Sequence, residues 1–580
     1  MLGKIGKFEL IRPLGQGAMG EVYLAKDPVL GRQVAVKTIR LGSSFGDEAT
    51  ARFEREAQVA GSLNHPNVVT VFEFGEDEGV HYLAMEHVDG EDLNSLIRSG
   101  LAQAELLELL AQACEGLAYA HERGIVHRDI KPSNILVARS GKRRVAKLMD
   151  FGVALVVAKS GRGQCMSLRV ALRQAEPGAR IRVQPGVYRE SLVVDRPVTI
   201  LGEGGPGEVV IESAKGPCLS LQAPGVHLSN LQVQALDEDG APALEAGPGQ
   251  ALVERCEIIA RSGFAVRIAG AGPGPAFRDC TLRSAGAGGV QLREQAAVRM
   301  DDCLVEGEAR CGLSLEPGAR ATLDHCLVQN TRGTGVALGT GARAVLTDCQ
   351  VCGQEAGGVE VEADARAELN RCRIADSRSV GVLVLERGQA ALDDCEVAGH
   401  AWAGVHTVPE GTAQLRGCRV SGNAGLGVSV VGAGLLTLDR CELKANREPA
   451  VLVQDGAIVQ MKACQVADGD SFGVVCAAQG RGVLEGCEIH GNARTGAKVE
   501  PGGSLLLVRC DLHDGRDTGI LLFEHGEVTL EECVVHRNAR GGILLAKDAS
   551  DPVLRGGNRI QDALLRTSGD GKLVRVAPVK

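Results

Sequence analysis

Cysteine recurs at a fixed spacing through the second half of the chain, and that spacing leaves few folds open. Cys280, Cys303, Cys326, Cys349, Cys372, Cys395, Cys418, Cys441, Cys464, Cys487, Cys510 and Cys533 stand 23 residues apart, and Cys256 precedes them by 24. Nine residues after each cysteine from Cys280 to Cys510 comes a glycine, with Ala450 as the exception, and then an apolar residue such as Val336, Val382 or Ile520. Apolar and polar residues alternate within the period, as in GVxL and LxxCxV. The unit is therefore a set of short strands and turns rather than helices. Strands stacked at about 4.8 Å bring like residues into columns and bury them inside a coil.

Cysteine is small and readily buried, so thirteen in file read as a packing column. Each thiol has equivalent neighbours above and below, which leaves no preferred disulfide partner. Cys349 and Cys352 form a CxxC, but no second pair completes a zinc site. The exposed position of the GVxL strand runs through Gln291, Ala337, Glu360, Leu383, His406, Leu452 and Lys498, with a single carboxylate. Cleavage of a polysaccharide by paired carboxylates has no support there. Asp301 and Asp324 align in another column and are expected to be solvated turn residues. The leucines and valines of the exposed column point to a protein or glycan ligand on the coil. Ahead of the ladder, residues 165–176 read as a short helix, followed by PGARIRVQPGVYRESLVVDRPVTILGEG. This passage resembles the opening cap and first coil of right-handed parallel β-helices, related in fold to pectin lyases.

Composition agrees with an all-β repeat. Aromatics make up 3% of the chain while glycines number 77. A length of 580 residues implies more than one domain. The formal charge of −10 carries no basic excess, so nucleic acid is not an expected partner. Residues 1–10 lack the apolar run of a secretion signal, and no apolar stretch could span a bilayer. The expectation is a cytoplasmic protein without membrane insertion.

The first part of the chain is organised differently. A strand over residues 8–13 leads into Gly15-Gln16-Gly17-Ala18-Met19-Gly20, followed by Glu21 and Val22. Glycines there let backbone N–H groups approach phosphate; alone, the motif also fits a dinucleotide fold or a plain hairpin. Residues 33–37 (QVAVK) alternate as a strand ending in Lys37, and residues 48–63 have helical spacing around Glu56. Strands are expected over 68–74 and 80–85, and a long amphipathic helix over 101–123. Residues 127–134 then read HRDIKPSN, and residues 150–152 read DFG.

Taken in order, these motifs resemble the bacterial serine/threonine protein kinases. The resemblance implies an α+β kinase fold that binds ATP and Mg2+ and transfers phosphate to a protein hydroxyl. Asp129 would orient the attacking hydroxyl and Lys131 would stabilise the phosphate. Asn134 and Asp150 would hold magnesium. Gly15, Gln16, Gly17, Gly20, Val22 and Ala35 would surround the nucleotide. Lys37, paired with Glu56, would meet its α- and β-phosphates. Met85 stands at the gatekeeper position, and the backbone of Glu86 to Val88 would bond adenine.

The chain departs from the family after DFG. Residues 153–163 offer no activation segment, no APE or SPE anchor and no later helical bundle before the repeats begin. The expected organisation is a kinase-like domain over 1–158, truncated after DFG, and a linker over 159–164. A parallel β-helix with a helical cap follows over 165–560, and a terminal cap over 561–580. Because positioning carries most of phosphoryl transfer, the alternative is a catalytically impaired pseudokinase serving as a β-helix scaffold.

Overall fold

A computed structural model describes residues 3–17, 20–39, 63–77, 80–123, 130–140, 143–149, 154–159, 165–568 and 572–575. The chain forms two compact units that divide between Ala154 and Leu155. Among the described residues no helix is long and apolar enough to cross a membrane.

The first unit opens with a six-stranded antiparallel sheet in the order β1-β2-β3-β4-β6-β5. Its strands are β1 (Lys4–Ile5), β2 (Phe8–Gly17), β3 (Gly20–Lys26), β4 (Gln33–Ile39), β5 (Val71–Asp77) and β6 (Val80–Glu86). Alternation along QVAVK sends Val34 and Val36 into a core with Phe8, Leu10, Ala25, Tyr82 and Ala84. Ala35 and Lys37 face the other way. β7 (Gly90–Asp92) pairs with β8 (Ile135–Ser140), which pairs with β9 (Arg143–Leu148). α1 (Leu93–Arg98) starts at Asp92, whose carboxylate caps Ser95 N at 3.0 Å. α2 (Gln103–Glu122) then packs Leu109 and Ala113 against Ile135, Val137, Ala146 and Leu148.

Asn67 ties this lower layer to the strand leading into the sheet. Its buried side chain donates to Ala146 O at 2.8 Å, and its carbonyl accepts from Leu148 N at 2.8 Å. Val69 N donates to Leu148 O at 2.8 Å. α2 reaches this junction at Gly116, where a Cβ would lie 2.7 Å from Asn67 O.

Among the described residues the second unit is a coil of three largely parallel sheets with 18, 17 and 18 strands, in which a strand typically pairs with the third one after it. Its first rung is β10 (Ala154–Val157), and Val157 is fully buried in the coil core. The units therefore divide a few residues ahead of the boundary at 158 expected from the sequence. α3 (Leu168–Gln174), capped by Ser167, lays Leu168, Ala171 and Leu172 over the open end of the core. The 23-residue period is the strand register itself: Leu323 pairs with Leu346, Leu346 with Leu369, Leu369 with Leu392 and Leu392 with Leu415. At Gly404 the coils approach so closely that a Cβ would stand 2.6 Å from Gly427 O.

The cysteine column is buried throughout, from Cys256 to Cys533, and among the described residues no disulfide forms. Many of its thiols donate to carbonyls of the preceding coil, as Cys395 Sγ does to Leu369 O at 3.3 Å, and others to the carbonyl two residues back, as Cys303 Sγ does to Asp301 O at 3.3 Å. Asp301 and Asp324 depart from expectation. They close strands Ala297–Asp301 and Arg320–Asp324 in mutual register, and Asp301 accepts from Arg299 at 3.0 Å. The left-handed turn residues are the next ones, Asp302 and His325. Beyond the last period, Val553–Arg555, Arg559–Ile560 and Leu564–Thr567 still add a rung to each sheet. Leu573–Arg575 folds back antiparallel on the last of these.

A second buried column escaped the sequence reading. His400 N donates to Asn423 Oδ1 at 3.0 Å, Asn423 N to Asn446 Oδ1 at 3.2 Å, and Asn538 N to Asp562 Oδ2 at 2.8 Å. These side chains satisfy backbone N–H groups at the bend between strands, where the ladder cannot.

Candidate nucleotide site

The face of β4 opposite the Val34 core meets the β8–β9 hairpin in a packed apolar cluster. Ala35, Val69 and Met85 are buried there, with Val22, Val71, Leu83, Val88, Leu136 and Met149 packed against them. Strand register places Ala35 beside Met85, and Lys37 between Val22 and Leu83. Lys37, half-buried, thus stands one pleat along from Ala35 on the same face.

The glycine hairpin runs along β2 and β3, with Gly15 opposite Val22, Gln16 opposite Glu21 and Gly17 opposite Gly20. Thr38 holds the base of this hairpin, its hydroxyl donating to Glu21 O at 3.1 Å. At the other edge, Lys131 is exposed, and a short 3-10 turn, Pro132–Asn134, buries Asn134. Asn134 O accepts from Met149 N at 3.0 Å, which ties the 3-10 turn to the end of the β8–β9 hairpin. Glu56, Asp129 and Asp150 lie outside the described residues.

The Glu86 side chain has a partner that the sequence did not announce. Glu86 pairs with Lys147 on β9 at 2.9 Å, and its backbone N donates to Thr70 O at 2.8 Å. Sequence reasoning also passed over Leu136 and Met149. Their signal was positional: Leu136 sits two residues after Asn134, and Met149 one before Asp150.

This arrangement is an apolar cluster drawn from both sheets, with Lys37 in register between Val22 and Leu83 and Asn134 buried two residues before Leu136. Known proteins match both units. The right-handed β-helix region profile matches residues 222–362, 311–409 and 403–558, more than half of the chain. The chain belongs to that family, and the protein kinase domain profile matches residues 8–171 at its front.

A probable serine/threonine-protein kinase of Streptomyces coelicolor is 47% identical over 162 residues, covering 27% of this chain and 24% of that protein. The serine/threonine-protein kinase PrkC of Bacillus subtilis is 40% identical over 157 residues, again 27% and 24%. PknF of Mycobacterium tuberculosis is 47% identical over 153 residues, or 25% and 32%. The chain thus spans about a quarter of the length of the first two relatives. The crystal structure of the Mycobacterium tuberculosis PknI kinase domain is 36% identical, with a TM-score of 0.24, covering 26% of this chain and 62% of that one.

Proposed function

We propose that the first unit binds ATP with magnesium and acts as a serine/threonine kinase module. The observation that carries this is the apolar cluster of Val22, Ala35, Met85, Val88, Leu136 and Met149, drawn from both sheets, with Lys37 paired in register with Val22 and Asn134 buried just ahead of Leu136. The adenine ring fits between Val22 and Ala35 on one side and Leu136 on the other, with Met85 behind and the backbone of Glu86 to Val88 at the edge. Lys37, paired with Glu56, meets the α- and β-phosphates, and the glycine hairpin covers them. Asn134 and Asp150 are hard oxygen donors of the kind magnesium takes; the ion would neutralise phosphate charge. Asp129 orients the substrate hydroxyl and takes its proton, and Lys131 stabilises the charge that develops on the phosphate. The setting proposed for this chemistry is the cytoplasm, with a protein substrate; the coil offers its outer face to a protein or glycan ligand.

One observation favours a second reading, that of a pseudokinase attached to a scaffold. β10 begins at Ala154, directly after Asp150-Phe151-Gly152-Val153, and is already a rung of the coil. The segment that holds a peptide substrate in line in kinases has no room there, and positioning supplies most of the rate in this chemistry.

Two measurements on the full chain separate the readings. ATP with magnesium should raise the melting temperature of the first unit in wild type and not in Lys37→Met; no shift in wild type overturns nucleotide binding. Radiolabelled phosphate incorporation into a generic basic protein should exceed that of Asp129→Asn. Binding with equal incorporation selects the pseudokinase.

A further inference from the structure

Near the end of the coil, three histidines occupy one outward column of the second sheet. His490, His513 and His536 stand one coil apart, with ring centroids at 5.1 and 5.0 Å and planes within 5° and 19° of parallel. The adjacent column of the same sheet, starting one strand earlier, carries Gln465, Glu488 and Asp511. Each imidazole leans onto the preceding coil. His490 Nε2 lies 2.9 Å from Gln465 Nε2, His513 Nε2 lies 3.0 Å from Glu488 Oε1, and His536 Nε2 lies 3.0 Å from Asp511 Oδ1. The His513 and His536 side chains are only 13% and 14% exposed, so the rings are held in place.

His513 is the informative member. Its other nitrogen, Nδ1, lies 2.7 Å from Asp514 Oδ2, and Asp514 is itself fixed by Arg537 Nε at 2.7 Å. A neutral imidazole has one N–H, yet His513 faces a carboxylate at each nitrogen. Either a second proton or a metal cation must occupy the Nε2 side. A proton there would put an imidazolium in a stack with two further imidazoles and would engage neither of them. A metal ion would use the Nε2 lone pair, the Glu488 oxygen and a neighbouring imidazole together. A carboxylate on the far nitrogen of a histidine is also the arrangement that orients metal ligands and raises their basicity.

We propose that this ladder binds one divalent transition-metal ion of the zinc class, through His513 Nε2, His490 Nε2 and the Glu488 carboxylate. Asp514 acts as the positioning residue. His536 with Asp511 repeats the set one coil on but shares His513, so only one ion binds at a time. Metal–nitrogen bonds of about 2.0–2.1 Å require the two rings to tip toward each other at Nε2. His490 exchanges its contact with Gln465 for one toward Glu488 on its own strand. A tighter group, Asp324, His325 and Asp348, has ligand atoms within 4.8 Å, but Arg371 already takes both Asp348 oxygens at 2.8 and 2.6 Å. A guanidinium holds the cation position there.

The test uses the full chain, stripped with chelator, and titrated with Co2+ and Zn2+ at neutral pH. One Co2+ per chain should bind with d–d absorption and without a thiolate charge-transfer band, which separates the ladder from the cysteines. His513→Gln should abolish that spectrum. Asp514→Asn removes no ligand and should weaken binding by about 10–100-fold. His325→Gln should change nothing. Far-ultraviolet circular dichroism confirms that each variant keeps the coil. A thiolate band, unchanged binding in both His513→Gln and Asp514→Asn, or no binding at millimolar metal would overturn the assignment; in the last case the Nε2 side is held by a proton alone.

Discussion

His400 occupies a position that asparagine fills in later coils, and it does the same two jobs with an ionisable ring. Its Nδ1 accepts from Ser377 N at 3.2 Å, and its Nε2 lies 3.1 Å from Ile374 O, so it is held as the neutral Nε2–H tautomer. Burial pushes its pKa down from the ordinary 6.5 to about 4. Between those values the unfolded chain binds the proton and the folded one does not. The stabilisation is therefore present above pH 6.5 and is lost as pH falls toward 4, by about 3 kcal/mol. An asparagine in its place could make equivalent bonds, because Asn446 Nδ2 reaches Val420 O at 3.3 Å in the same relation. Urea unfolding of wild type and His400→Asn at pH 7.5 and 5 should show a smaller acid loss in the variant. Equal losses would mean that His400 stays accessible to protons in the fold.

At the scale of elements, the coil was legible because its register equals its sequence period: every leucine of the Leu323 column predicts its partner. The asparagine column was not, because Thr331, Gln354, Ser377 and His400 fill its early positions and hide the repeat. In the first unit the motifs name the glycine hairpin, Ala35, Lys37, Met85 and Asn134 as candidates, and the fold sets Ala35 and Met85 in one cluster. Leu136, Met149, Asn67 and Lys147 were not legible, since their roles come from tertiary juxtaposition and not from spacing. The Asn67 junction gives a sharp test through α2. Gly116→Ala should gain up to about 1 kcal/mol of helix propensity. Its Cβ, however, would sit 2.7 Å from Asn67 O, an atom already bonded to Leu148 N. Backbone cannot step aside as a side chain can, and overpacking of this kind costs about 1–3 kcal/mol. The expected net result is destabilisation of the first unit, with weaker nucleotide binding. Ala118→Gly, on the exposed side of the same helix, should lose only propensity. A more stable Gly116→Ala would show that α2 can move away from Asn67.

For the whole molecule, the thiols report how the coil comes apart. Cys114 on α2 is exposed, Cys311 and Cys352 are half-buried, and the other cysteines are buried. Burial pushes the Cys256 and Cys476 thiols up to about 12, so these two carry very little nucleophilic thiolate at neutral pH, and burial keeps reagent from the other column thiols. Alkylation of the native protein, read by peptide mass spectrometry, should therefore modify Cys114 first and spare the column. Each coil pairs only with the coils before and after it, so stability is a sum of similar nearest-neighbour terms. When those terms are large and alike, no interior boundary is cheaper to open than another. Cys280 through Cys533 should then become reactive over one narrow range of urea, separate from the transition of the first unit. Labelling of Cys303 at clearly lower urea than Cys464 would instead divide the coil into independent blocks. The weak joint would be sought where the early coils depart from the period, around the 24-residue step between Cys256 and Cys280.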